Sequence, residues 1–156
     1  MSSFLLRTLP ATTEEMLGVF DDASTLRHAL AFEAALAQAQ AAAQVIDVQS
    51  AQAIATVCGA FTTDIPRFAE SVALAGTLAI PLVRALRAQL TDTAAGALHR
   101  GATSQDLADT VLMLQIKEAS ALLGADHARV VTALVKPACP ASMISRRLSA
   151  VSSPNG

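Results

Sequence analysis

Between Thr103 and Lys136 the sequence contains no proline and a single glycine, Gly124. Leu107, Val111, Leu114, Ala121, Leu122, Ala125, Val131 and Leu134 recur along it as a broad apolar stripe on a helical period. At 1.5 Å per residue this run predicts one helix roughly 50 Å long. Helix propensity alone rarely sustains such a length, so the helix needs partners along it. Composition agrees. The hydrophobic fraction is 53%, much of it alanine, with no Trp or Tyr and only five Phe. A core of Ala and Leu suits closely packed helices better than a sheet, whose strands favour aromatic and β-branched side chains. The expected fold class is therefore all-α.

The rest of the chain reads as shorter helices. Thr12 and Glu15 have capping-box spacing, with Thr12 as N-cap and a stop at Gly18. Asp21 and Asp22 precede an alanine-rich helix over residues 23–43, where Asp22 complements the N-terminal dipole and Leu26, Leu30, Phe32, Leu36 and Ala39 recur at helical spacing. Residues 45–48 read as a connector and 51–58 as a second helix, followed by a loop over 59–64. Residues 65–75 and 78–90 are helical, with Pro66 and Pro81 tolerable in first turns and Gly76 between them. Residues 91–101 form a Gly- and Thr-containing stretch before the long helix.

Several function classes are disfavoured. A net charge of −2 and scattered basic residues (Arg84 with Arg87, Lys136, Arg146 with Arg147) do not make a nucleic-acid surface. Residues 71–90 are the best membrane candidate, but Arg84, Arg87 and Pro81 interrupt them. Phe4, Leu5 and Leu6 are cut short by Arg7 and are too few for a signal-peptide core. Cys58 and Cys139 show neither CxxC nor metal-ligand spacing, so Cys58 reads as a small core residue and the expected compartment is the cytoplasm.

The chemistry is concentrated in His99, Arg100, Gly101, Ala102, Thr103, Ser104, Gln105 and Asp106, followed by Asp109 and Thr110. Gly101 permits a tight turn into the helix. Thr103 and Asp106 have capping-box-like spacing. The free amides of the helix start, with the Thr103 and Ser104 hydroxyls and the Gln105 amide, make a site for a carboxylate or phosphate. His99, just upstream, is placed to donate to the same anion or to move a proton. Taken singly, these residues have ordinary readings as caps and a solvated loop histidine. The ordered string is more specific than its parts.

That string, HRGATSQDLADTVLMLQ, resembles the first signature region of the fumarase/aspartase superfamily. Gln105, Asp106 and the Leu114–Gln115 pair are similar to the carboxymuconate cycloisomerase branch. Phe32 to Ala37 with Ala39, Gln40 and Ala41 resembles the first long helix of that family, Val45 and Ile46 the turn after it, and Ala75, Gly76 and Ile80 to Val83 the segment before the signature. The resemblance covers residues 20–136. It implies an all-α tetramer with a central bundle of long helices, each active site being assembled from three regions on three subunits. It implies that Thr103 and Ser104 hold a substrate carboxylate, with His99 and Gln105 lining the same pocket. The reaction implied is addition or removal of a group across a carbon–carbon bond next to a carboxylate, through an aci-carboxylate. In the cycloisomerase branch this interconverts 3-carboxy-cis,cis-muconate and 4-carboxymuconolactone in protocatechuate catabolism. The implied partners are a carboxylate-bearing small molecule and further copies of the chain, with no nucleic acid, membrane, metal or organic cofactor. Arg100 stands where relatives often have an aromatic residue, and Thr77 where cycloisomerases often have Asn. Adenylosuccinate lyase-like chemistry and a non-catalytic helical interaction module are the alternatives.

The expected organisation is an N-terminal helical domain over 1–102, the first long helix of a truncated central bundle over 103–136, and a disordered or frameshifted tail over 137–156. The second signature, centred on Arg-Thr, and the third, a Gly-Ser-Ser loop with Met, Pro and Lys that carries the expected catalytic base, are not in the sequence. The catalytic residue is therefore unknown, and the chain alone is expected to be inactive. Pro137, Pro140 and Pro154 with frequent Ser replace the helical pattern abruptly. A frameshift after Lys136 fits, because the Met143 and Ile144 codons read Asp in the frame two bases on. Sequencing the gene tests this: an early stop in that frame leaves a plain disordered end.

Overall fold

The computed structural model describes residues 12–135. Expectations for the first ten residues, for Lys136 and for the tail, including the frameshift and Cys139, lie outside that range. Seven helices are present among the described residues and no strand. They are α1 (Glu14–Val19), α2 (Asp22–Ala42), α3 (Val48–Ala60), α4 (Ile65–Ala75), α5 (Ala79–Arg87), α6 (Asp92–Ala97) and α7 (Ser104–Val135). The chain divides into two compact units at Ala119 and Ser120, with α7 running through the division.

The helix starts follow from short polar side chains that accept the first free amides. Asp21 accepts from Ser24 N at 2.7 Å, Asp47 from Ser50 N at 2.7 Å, and Asp64 from Arg67 N at 2.9 Å. The cap of α1 is Thr13, which accepts from Met16 N at 3.2 Å, not Thr12 as the Thr12/Glu15 spacing suggested. Both threonines suit a cap, and only the backbone trajectory separates them. Asp47 starts α3 at Val48, earlier than residue 51, because its side chain closes the turn that the connector reading had left open. Pro66 lies in the first turn of α4, and Gly76 ends α4 in the left-handed region at φ 72°. Residues 91–101 hold an unanticipated helix, α6, whose Thr and Gly offset its alanines and which burial of Ala94 and Ala97 holds in place.

The core lies where α2, α3, α5, the segment after α6 and the start of α7 meet. Ala29, Ile54, Leu82 and Leu86 are fully buried there, with Leu98 and Leu107 at 1% exposure. Ala29, Ala37 and Ala51 on α2 and α3 bring those two helices close, which is what the alanine-rich composition anticipated. The buried residues of α2, however, are Ser24, His28, Ala29, Glu33 and Ala37. Leu26, Leu30 and Phe32 pack at the edge of the core rather than in it. Three polar residues on the inner face of a helix must find partners, because an unpaired buried polar group is costly.

Helix α7 is tied to α1 and α2 by the buried Gln115, whose Nε2 donates to Val19 O at 3.0 Å and to Thr25 Oγ1 at 3.1 Å. Arg27 adds a bidentate pair to Glu118 at 3.1 Å on each arm. Of the anticipated stripe, Leu107 and Val111 are buried, whereas Val131 and Leu134 are exposed. No single described helix is long and apolar enough to cross a bilayer. Helices α4 and α5 reach that composition only together, across a bend of 119°.

Candidate functional site

The segment from Leu98 to Thr103 turns the chain from α6 into α7, and two residues in it have positive φ. Gly101, at 72°, does so at no steric cost. His99, at 58°, does so as a residue with a Cβ, at a cost of roughly 1–2 kcal/mol. The surrounding helices hold that geometry. Gln40 of α2 donates from Nε2 to Arg100 O at 2.6 Å. Arg87 of α5 reaches Leu98 O at 3.4 Å. Glu33, two turns before Gln40 on α2, meets His99 Nδ1 at 2.6 Å. The carbonyls on both sides of His99 and its ring are therefore braced by residues distant in sequence.

Glu33 is fully buried, and its second carboxylate oxygen has no partner. Burial pushes its carboxyl above the usual range, an effect opposed by His99 and by the field of Arg87. Cys58 lies close enough for the Glu33 charge to add to its own burial, which together push the thiol up to about 11. A thiol in that state is inert, consistent with a small core residue. Phe32 packs edge-on against the imidazole at 6.4 Å between ring centres.

At the start of α7, Thr103 and Asp106 form the anticipated reciprocal box. Thr103 N and Oγ1 both donate to Asp106 Oδ2 at 2.7 Å, and Asp106 N donates to Thr103 Oγ1 at 3.2 Å. The Thr103 hydroxyl holds the Asp106 carboxyl below its usual range. Gln105 turns along the helix and donates to Asp109 Oδ1 at 2.6 Å. Of the four residues singled out from sequence, His99 and Ser104 share one cleft, while Thr103 and Gln105 spend their side chains within α7.

That cleft has a volume of about 390 Å³. Besides His99 and Ser104 it is lined by Ala79, Ile80, Val83, Arg84 and Arg87 of α5. Neither arginine pairs with a carboxylate among the described residues. Two guanidiniums, a hydroxyl at a helix start and an imidazole make a concave surface suited to carboxylates. Sequence reasoning noticed Arg84 and Arg87 only as too sparse for nucleic acid. Their spacing of three on a helix was the signal that they share a face. Glu33 was missed as a site residue. Its signal was a lone acid inside an alanine-rich helix.

Comparison with known proteins gives the same direction. No protein-family model matches the sequence. The 3-carboxy-cis,cis-muconate cycloisomerase of Bradyrhizobium diazoefficiens is 46% identical over 119 residues, covering 74% of this chain and 26% of that protein. Its counterpart from Pseudomonas putida is 39% identical over 130 residues, covering 81% of this chain and 31% of that one. The crystal structure of the 3-carboxy-cis,cis-muconate lactonizing enzyme from Pseudomonas putida superposes with a TM-score of 0.69 at 40% identity, covering 73% of this chain and 27% of that chain. The chain resembles the 3-carboxy-cis,cis-muconate cycloisomerases. It spans about a quarter to a third of the length of these cycloisomerases. The similarity to the cycloisomerases extends over three quarters or so of the chain, so it includes helices well outside the turn around His99.

The ionisable groups give a pH prediction. Asp47, held down by the Ser50 hydroxyl, Asp106, held down by Thr103, and Glu118, held down by Arg27, all titrate below their ordinary values of 3.8, 3.8 and 4.5. Groups lowered on folding contribute stability that is complete above the unfolded value and is lost as pH falls through the folded one. Glu33 acts in the opposite sense. Its raised carboxyl contributes below 4.5, and that contribution is lost as pH rises through its folded value. The urea midpoint is therefore expected to fall on acidification below about pH 4, with Glu33 acting in the opposite sense above that range. A midpoint that rises continuously from about pH 5 to pH 3 would contradict these assignments.

Proposed function

We propose that this chain supplies a carboxylate-binding wall of a 3-carboxy-cis,cis-muconate cycloisomerase, acting on a tricarboxylate in aromatic catabolism. The observation that carries the reading is the cleft in which Ser104, Arg84 and Arg87 converge beside His99, with no carboxylate among its described lining residues. In the lactone-forming direction a carboxylate oxygen of the substrate adds to one carbon of a double bond and a proton adds to its neighbour. In reverse, a proton leaves the carbon next to a carboxylate, and the carbon–oxygen bond breaks. Negative charge gathers on that carboxylate in the aci form. Fixed cations and hydroxyls aimed at it stabilise the charge without reorganising. Ser104 is the hydroxyl best placed for this, since Thr103 is committed to Asp106. His99 faces the same space and is suited to proton transfer or to a further hydrogen bond.

The same reading assigns α7 to pairing with other copies of the chain. Ile116, Leu123 and Val130 recur every seven residues and are 41%, 60% and 57% exposed, the spacing of a helix–helix seam.

Binding of 3-carboxy-cis,cis-muconate and of cis,cis-muconate, which lacks the third carboxylate, tests the substrate class. The tricarboxylate is expected to bind several-fold more tightly. Ser104→Ala, Arg84→Ala and Arg87→Ala should each weaken it by about 1–3 kcal/mol, the range for a hydrogen bond to a charged group and its loss. Equal affinity for the two ligands, indifferent to all three substitutions, would remove the cleft from consideration.

A further inference from the structure

We propose that Glu33 is a positioning residue for His99, holding the Nδ1–H of the imidazole so that an unprotonated Nε2 is presented to the cleft. Three observations converge on this. Glu33 is an acid on the inner face of α2, fully buried, and its one side-chain partner among the described residues is His99, through Nδ1 at 2.6 Å. His99 holds a left-handed backbone conformation that few side chains tolerate, and Gln40 and Arg87 brace the carbonyls on either side of it. Strained residues persist only where the surroundings over-determine them, and they concentrate at functional sites. The other ring nitrogen makes no hydrogen bond among the described residues, yet it is not sealed in the interior, and His99 lines the cleft with Ser104 and the two arginines.

A structural role alone does not account for this arrangement. A buried carboxylate is expensive, and an apolar residue of similar volume would pack α2 at less cost. What the carboxylate adds is orientation and tautomer. An acceptor fixed on Nδ1 requires the proton there, which leaves the lone pair on Nε2. Ring rotation is blocked by the same bond and by the edge of Phe32. The charged groups around the pair are Arg87, whose field acts on Glu33, Arg84 across the cleft, and Asp106, whose carboxylate lies within the field of His99. When Nε2 takes up a proton, Glu33 faces the resulting imidazolium directly, so the charge is matched where it forms. The proposal rests on the cleft being the substrate-facing wall, and its own test does not depend on turnover.

The experiment is nitrogen NMR of the intact chain carrying labelled histidine, of which there are three. His99→Gln identifies the His99 signals. At about pH 8, where an ordinary imidazole is neutral, the Nδ1–H form is expected to exceed the Nε2–H form at least tenfold. In Glu33→Leu, which removes the acceptor at similar volume, that ratio should fall about tenfold or more. Glu33→Gln, which keeps a carbonyl acceptor, should recover part of it. An Nε2–H tautomer in the unsubstituted chain would overturn the proposal, even if the leucine variant fails to fold. A tautomer ratio unchanged in a folded Glu33→Leu variant would overturn it equally. Adding 3-carboxy-cis,cis-muconate separates the two readings. The expected tautomer with His99 signals unmoved by ligand sustains the role of Glu33 in holding the ring and refutes the cleft as a substrate wall.

Discussion

Leu82→Ala is expected to destabilise the folded chain by about 2–5 kcal/mol, the range for deleting a large aliphatic side chain from a close-packed core. Leu82 is fully buried and belongs to the same cluster as Leu86, Ile54, Leu98 and Leu107. Its loss leaves a cavity, because α5 is held in place by Pro81 in its first turn and by Leu86 one turn on. The cost is measured by urea denaturation followed by far-ultraviolet circular dichroism. Leu74 is the matched control, since it is 91% exposed and Leu74→Ala should change stability by less than about 0.5 kcal/mol. Similar losses in the two variants would show that the core is not where the packing places it.

Leu123→Glu is expected to weaken self-association of the chain by about a hundredfold or more. Burying one large aliphatic side chain contributes roughly 1.5–3 kcal/mol, and a carboxylate placed in an apolar seam without a partner costs several more. Leu123 sits between Ile116 and Val130 in the heptad series on α7. Its substitution leaves the core alone, since Leu123 is 60% exposed within the chain. Analytical ultracentrifugation over a wide concentration range reads the effect. The unsubstituted chain should sediment above monomer mass, and the variant should shift towards monomer with unchanged helix content. A chain that is monomeric throughout, or a variant that associates as strongly, would remove this face of α7 from the interface.

The helical class and most helix positions were legible because they depend on local chemistry. Asp21 and Asp64 each sit three residues before the amide they cap, Pro66 opens a helix, and Gly76 closes one, whereas the Asp47 cap was read as part of a connector. Such signals act within a single turn. Helix α6 was not legible, because so short a run, in which Thr and Gly offset Ala, does not sustain a helix without the burial of Ala94 and Ala97. The inner face of α2 was not legible for a related reason. Alanine and leucine surround that helix on all sides, so periodicity does not choose between Leu26 with Leu30 and Ser24, His28 and Glu33.

The turn around His99 shows the division most clearly. Its ordered string identified a capped helix start, and the reciprocal contacts of Thr103 and Asp106 follow from their spacing. That spacing already commits Thr103 to Asp106, but that Ser104 lines a cleft does not follow from it and is decided by the fold. By itself the sequence determined the all-α class, the place of the long helix and the location of the turn that opens it, because capping, proline and glycine chemistry and helical period are encoded over a few residues. The tertiary structure alone decided that Glu33 and Gln40, far upstream, clamp that turn and that Arg84 and Arg87 line its cleft, because those contacts join side chains some sixty residues or a whole helix apart and exist only once α2, α5 and α7 have packed.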